Sequence, residues 1–238
     1  MEHLFTSEAL MAFITLSFLE VVLGIDNIIF ISLLTNKLPR ENQAKARTAG
    51  IALALVLRIA MLLGITWILG LVKPLFHIGE HAVSGRDLIL FLGGIFLLWK
   101  STSEIHHKVG QDEQGHKANK QVQSFASAIL QIALIDLVFS FDSILTAVGM
   151  TEHLPIMIAA VIVSLSVMLL FAGKISAYME ARPTLQILAL SFLILIGTML
   201  VAEAAHYHVP KGYIYFSVAF SLGVEMLNMR MRKRGVAS

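Results

Sequence analysis

Residues 19–30 read LEVVLGIDNIIF, and Glu20 and Asp26 lie in the middle of an apolar run from about 9 to 34. Residues 135–146, IDLVFSFDSILT, repeat the pattern with Asp136 and Asp142, again six apart. The runs around them reach the roughly 20 residues that a bilayer-spanning helix needs. A charged side chain at that depth costs several kcal/mol, so an intramembrane acid marks a site until shown otherwise.

Working outward, 57% of the 238 residues are hydrophobic and 14% charged. Soluble domains carry about 25% charged residues. The chain therefore reads as an all-α, polytopic helical membrane protein. About seven transmembrane helices are expected, near 9–34, 48–72, 86–100, 124–149, 155–173, 185–205 and 212–229. All belong to a single transmembrane domain over 1–238. The connections are short, several carry proline, and 101–123 is read as a flexible polar loop. The first run has no preceding Lys or Arg and no small-residue cleavage site after it, so it is expected to stay as a span rather than be removed as a signal peptide. The chain has no cysteine, which excludes disulfides and thiolate metal sites.

Lys and Arg near span ends set orientation. One set of loops carries fourteen of them, from Lys37 and Arg40 to the run Arg230, Arg232, Lys233 and Arg234. The other carries Lys73, Arg86 and Lys211. This bias predicts an outside N-terminus and a cytoplasmic C-terminus, in a plasma or inner membrane.

Aligning Glu20–Ile29 with Asp136–Leu145 matches acid with acid twice, Gly24 with Ser140 and Asn27 with Ser143. The period is three spans. Because three is odd, the repeats (about 9–100 and about 124–205) enter the membrane from opposite sides. This is an inverted repeat, with 212–229 as an extra helix, and transporters of that architecture bind cargo at the repeat interface. At 1.5 Å per residue, the inversion puts Glu20 level with Asp142 and Asp26 level with Asp136. Residues i and i+6 are about 120° apart on a helix, so both acids of a pair share one cavity only if it is wide or the helix breaks. Gly24 and Ser140 are the expected break points.

Four acids need compensation by a cation, by protons or by a basic partner. Arg58 is the one basic residue within a span, and is read as a counter-ion to an acid or as facing a wet crevice. No histidine is mid-span. The candidate ligands are then all oxygen: Glu20, Asp26, Asn27, Asp136, Asp142 and Ser143. Such a set suits Mn²⁺, Ca²⁺ or Mg²⁺ rather than Cu⁺ or Zn²⁺. Glu225 and Asn228, three apart on one helical face, either extend the pathway or are interface polars. Asp87 and Glu203, near outer span ends, are expected to be solvated. The cluster His106, His107, Asp112, Glu113 and His116 is read as part of the polar loop rather than a metal sensor.

LEVVLGIDNIIFISLL and DLVFSFDSILTAVG resemble the two signature stretches of the TerC family of integral membrane proteins. KGYIYFSVAFSLGVEMLN and RDLILFLGGIFLLWK are similar to its compact branch, which lacks cytoplasmic domains. The resemblance covers essentially the whole chain. It implies a seven-span fold of two three-helix repeats and metal-ion transport, chiefly Mn²⁺ efflux in some members, with tellurite resistance, calcium handling or metal supply to secreted enzymes in others.

The expectation is a transporter exporting Mn²⁺ or a similar hard divalent cation, Ca²⁺ included, by proton exchange. The metal is substrate and no cofactor is expected. Beyond the bilayer and the cation, no nucleic acid is expected, and a homo-oligomer is compatible with the sequence. The rival reading is a membrane scaffold, or a metal-supply factor for secreted proteins with no transport of its own. No nucleophile–base pair, phosphate loop or cofactor motif supports an enzyme.

Overall fold

The computed structural model describes residues 7–79, 81–113, 124–151 and 153–235, with the side chains of 25, 26, 78, 81, 110–113, 211 and 232–235 outside the description. The elements run α1 (Ser7–Thr35), α2 (Arg40–Leu63), α3 (Ile65–Gly70), β1 (Pro74–Ile78), β2 (His81–Ser84), α4 (Gly85–Glu113), α5 (Phe125–Met150), α6 (Leu154–Glu180), α7 (Pro183–Ala204) and α8 (Lys211–Gly235). Among the described residues, six helices are long and apolar enough to cross a membrane: α1, α2, α4 up to Val109, α5, α6 and α7. The expected seventh span lies in α8, which is helical throughout but not among the six, because Glu225, Asn228 and two tyrosines dilute its apolar run.

The boundaries follow local chemistry. Pro39 precedes α2, while Pro155 and Pro183 occupy first-turn positions of α6 and α7; there their missing N–H has no helical partner to lose. Ser124 caps α5, its hydroxyl accepting from Ser127 N at 3.2 Å.

Three segments depart from the sequence reading. The span expected over 48–72 is α2, a break at Gly64, and the short α3. The connection after it forms an antiparallel hairpin, Phe76 opposite Val83, turning through Gly79 at φ +62°. Finally, 101–113 is not loop: α4 continues through it, carrying the exposed His106 and His107. Asp112 and Glu113 are on that helix with side chains outside the described residues, as is all of His116.

The chain divides into two compact units. In the first, α1 packs along α6 and α2 along α5, with α1–α5 and α2–α6 contacts completing a four-helix group that also carries α3 and the hairpin. Gly24 makes the α1–α6 approach close, because a Cβ there would lie 2.4 Å from Met168 Sδ. Apolar side chains such as Met11, Phe18 and Leu170 point outward, as lipid-facing residues do.

The second unit holds α4 from Asp87 onward, α7 and α8. Its α4 and α7 approach through Gly94 and Gly197; a Cβ on Gly94 would meet the Gly197 carbonyl oxygen at 2.7 Å. Small residues let helix backbones come this near in membranes.

Candidate cation site in the first unit

Glu20 sits near the middle of α1, Asp136 near the middle of α5, and Arg58 on α2 reaches both. All three are buried. Arg58 Nη1 donates to Glu20 Oε2, Nη2 to Asp136 Oδ1 at 2.8 Å, and Nε to Asp136 Oδ2 at 3.4 Å. The guanidinium fork thus takes Asp136 with two donors and Glu20 with a third, a geometry that lysine cannot reproduce.

Neutral groups complete the cluster. Asn27 Nδ2 donates to Asp136 Oδ1 at 3.2 Å, and Ser140 Oγ to Asp136 Oδ2 at 3.0 Å. Asn27 Oδ1 is buried with no hydrogen-bond partner among the described residues. Ser143 is buried too, but its hydroxyl donates to the Ser140 carbonyl at 3.3 Å, within its own helix. The helices present these residues by a simple rule. Glu20, Gly24 and Asn27 are spaced i, i+4, i+7, as are Asp136, Ser140 and Ser143. Each trio forms one stripe about 60° wide.

The second acid of each pair is off that stripe. Asp142 pairs with Arg86 at 3.3 Å, half-buried rather than in the cluster. Asp26 lies on α1 with its side chain outside the described residues. The expected level pairing of Glu20 with Asp142 is therefore corrected: Glu20 meets Asp136 across Arg58. Nor do the helices break. α1 and α5 are continuous through Gly24 and Ser140. Gly24 serves the contact with Met168 instead, and Ser140 bonds Asp136 four residues before it.

Electrostatically, two carboxylates face one guanidinium, leaving a surplus negative charge. Burying an ion pair is sustainable only when the remaining polar atoms are also satisfied. Here a surplus anion adjoins an unpaired amide oxygen, an arrangement that accepts a proton or a cation. Among the described residues no three His, Asp or Glu side chains come together as a ready-made metal cage; the guanidinium stands between the two carboxylates that meet.

The other candidates are in the second unit. Glu225 lines a groove with Thr184, Ser191 and Ser221, and Asn228 is exposed on α8. Asp87 and Glu203 are buried rather than solvated, 6% and 7% exposed. Asp87 Oδ2 lies 3.2 Å from His206 Nε2 just past the end of α7. The sequence reading missed Arg86 as the partner of Asp142, since nothing in its spacing points there. It noted Ser140 only for its size, although the i, i+4 spacing from Asp136 was the available signal.

The family model for the "Integral membrane protein TerC family" matches residues 5–236. Curated relatives match over most of the chain. A "UPF0053 protein" of Haemophilus influenzae is 47% identical over 226 residues, covering 95% of both chains. The "UPF0053 inner membrane protein YgdQ" of Escherichia coli K12 is 50% identical over 220 residues, 92% of both. "UPF0053 inner membrane protein YoaE" of the same strain is 43% identical over 233 residues, 98% of this chain but 45% of that protein. No solved structure matches.

Proposed function

The chain belongs to the TerC family of integral membrane proteins, and from that premise we propose that it is an inner-membrane transporter of a hard divalent cation, Mn²⁺ or Ca²⁺. The single observation that carries this reading is the buried cluster in which two acids, Glu20 and Asp136, share one guanidinium, that of Arg58. Stability alone does not favour such a cluster, because well-packed apolar residues often replace buried ion pairs at no loss. A cation-handling function accounts for its presence near mid-span.

Glu20, Asp136, Asn27 and the Ser140 hydroxyl supply oxygens suited to a hard cation. Asp142, with Arg86 as its counter-ion, is assigned to the approach to the site, and Asp26 stays a candidate ligand from the sequence alone. Ser143, whose hydroxyl is engaged within α5, is a reserve ligand at most. Glu225 and Asn228 are left out of the site.

The inverted repeat is part of the same reading. Exchanging the two repeats carries the α1–α6 pairing onto α5–α2, and both pairings are present. Proteins of that architecture alternate access by moving one part against another around a fixed site. Direction is assigned as export and coupling as exchange for protons, with the C-terminus cytoplasmic by the basic-loop bias.

The reading is tested in cells lacking the gene under a Mn²⁺, Ca²⁺ or Mg²⁺ load. Accumulation of one of these metals, reversed by wild type but not by D136N, is the expected result. Equal metal content with and without the gene would favour the non-transporting scaffold role.

A further inference from the structure

We propose that Arg58 is an internal rival of the transported cation. Its guanidinium fills the Glu20–Asp136 pair when no metal does, and the two bind there in turn. The inference rests on the transport reading above. It starts from which oxygens are in use. Arg58 engages Glu20 Oε2 and both carboxylate oxygens of Asp136, the atoms a divalent ion between α1 and α5 would also need. Asn27 and Ser140 supply further donors to the same two Asp136 oxygens. A metal cannot join this arrangement. Its positive charge would sit against the guanidinium, in a buried setting where like charges repel strongly.

Arginine cannot yield by losing its proton, since it stays protonated in proteins. It yields only by moving. The exchange keeps a positive charge between the two acids at every stage: a divalent ion offsets both carboxylates, and Arg58 offsets one of the two when the ion is absent. An emptied pair with neither would be a doubly uncompensated buried anion, which is strongly disfavoured. Arg58 thereby lets the carrier close without cargo. Removing it has two opposite effects, tighter cation binding and slower turnover. A purely structural ion pair would lose both together.

The test uses the full-length protein purified in detergent, with Mn²⁺, Ca²⁺ and Mg²⁺ titrated by calorimetry, and the same preparations in liposomes for flux. R58Q removes the rival, and R58K keeps a charge but not the fork that spans both acids. The expected result is binding about 10-fold or more tighter in R58Q and intermediate in R58K, a gain of at least one decade in Kd, with flux falling in the same order. R58K reads the inference should R58Q fail to fold. If wild type binds a cation and R58K binds it no more tightly, Arg58 is a fixed structural partner and the inference is overturned. If neither wild type nor R58K binds any of the three, the transport reading itself falls and this one with it.

Discussion

Arg58 holds two acids from two different helices, and its removal leaves both buried without their shared counter-charge. Breaking a buried pair from one side costs about 3–5 kcal/mol. R58A is expected to unfold at a clearly lower temperature in detergent. Adding E20Q and D136N to R58Q should recover part of the loss, because neutral amides need no counter-charge. Unchanged melting of R58A would show that the three groups are not coupled. S140A removes one donor to Asp136, at a cost of about 0.5–1.5 kcal/mol, read as a small shift in the same melting experiment. At this scale the sequence revealed the acids but not their grouping. The six-residue spacing drew the acids together as pairs, whereas the fold groups Glu20 with Asn27 and Asp136 with Ser140. That stripe is visible in the numbering once i, i+4 and i+7 are followed rather than charge alone. Arg58 carried its own signal as the one basic residue inside an apolar run expected to span. Arg86 carried none, since it reaches Asp142 only through the fold.

Helices α4 and α7 pack through Gly94 and Gly197, backbone against backbone. G94A would drive a methyl into a carbonyl oxygen that cannot rotate away, so the helices must separate. We expect a loss of about 1–3 kcal/mol, as for other overpacked contacts, measured as lowered thermal stability. On α8, a Cβ added at Gly223 would meet nothing within 4 Å among the described residues. G223A should be neutral or stabilising by up to about 1 kcal/mol, from helix propensity. Equal effects at the two positions would contradict the close approach. Most helices were legible because apolar runs and helix-starting prolines are local signals. The hairpin over Pro74–Ser84 was not, because a short strand pair between spans leaves only a weak period-two trace. The helical extension of α4 past Lys100 was hidden by its polarity. Polarity marks departure from the apolar run, not the end of a helix.

Across the whole chain, fourteen Lys and Arg toward one set of expected span ends against three toward the other are the ground for proposing that the loop after α1 faces the cytoplasm. The absence of native cysteine makes this directly readable. Single cysteines at Lys37 and Arg182 should resist an impermeant thiol reagent applied to intact spheroplasts, and one at Lys73 should react. The reverse pattern would overturn the proposed orientation. Cation handling is the central claim, and it is tested most directly by Mn²⁺ flux into proteoliposomes holding wild type, E20Q or D136N at matched protein content. Saturable flux is expected in wild type, with a loss of at least about 10-fold, or 1.4 kcal/mol of binding or barrier free energy, in each variant. Flux in E20Q and D136N equal to wild type would contradict cation handling at this site.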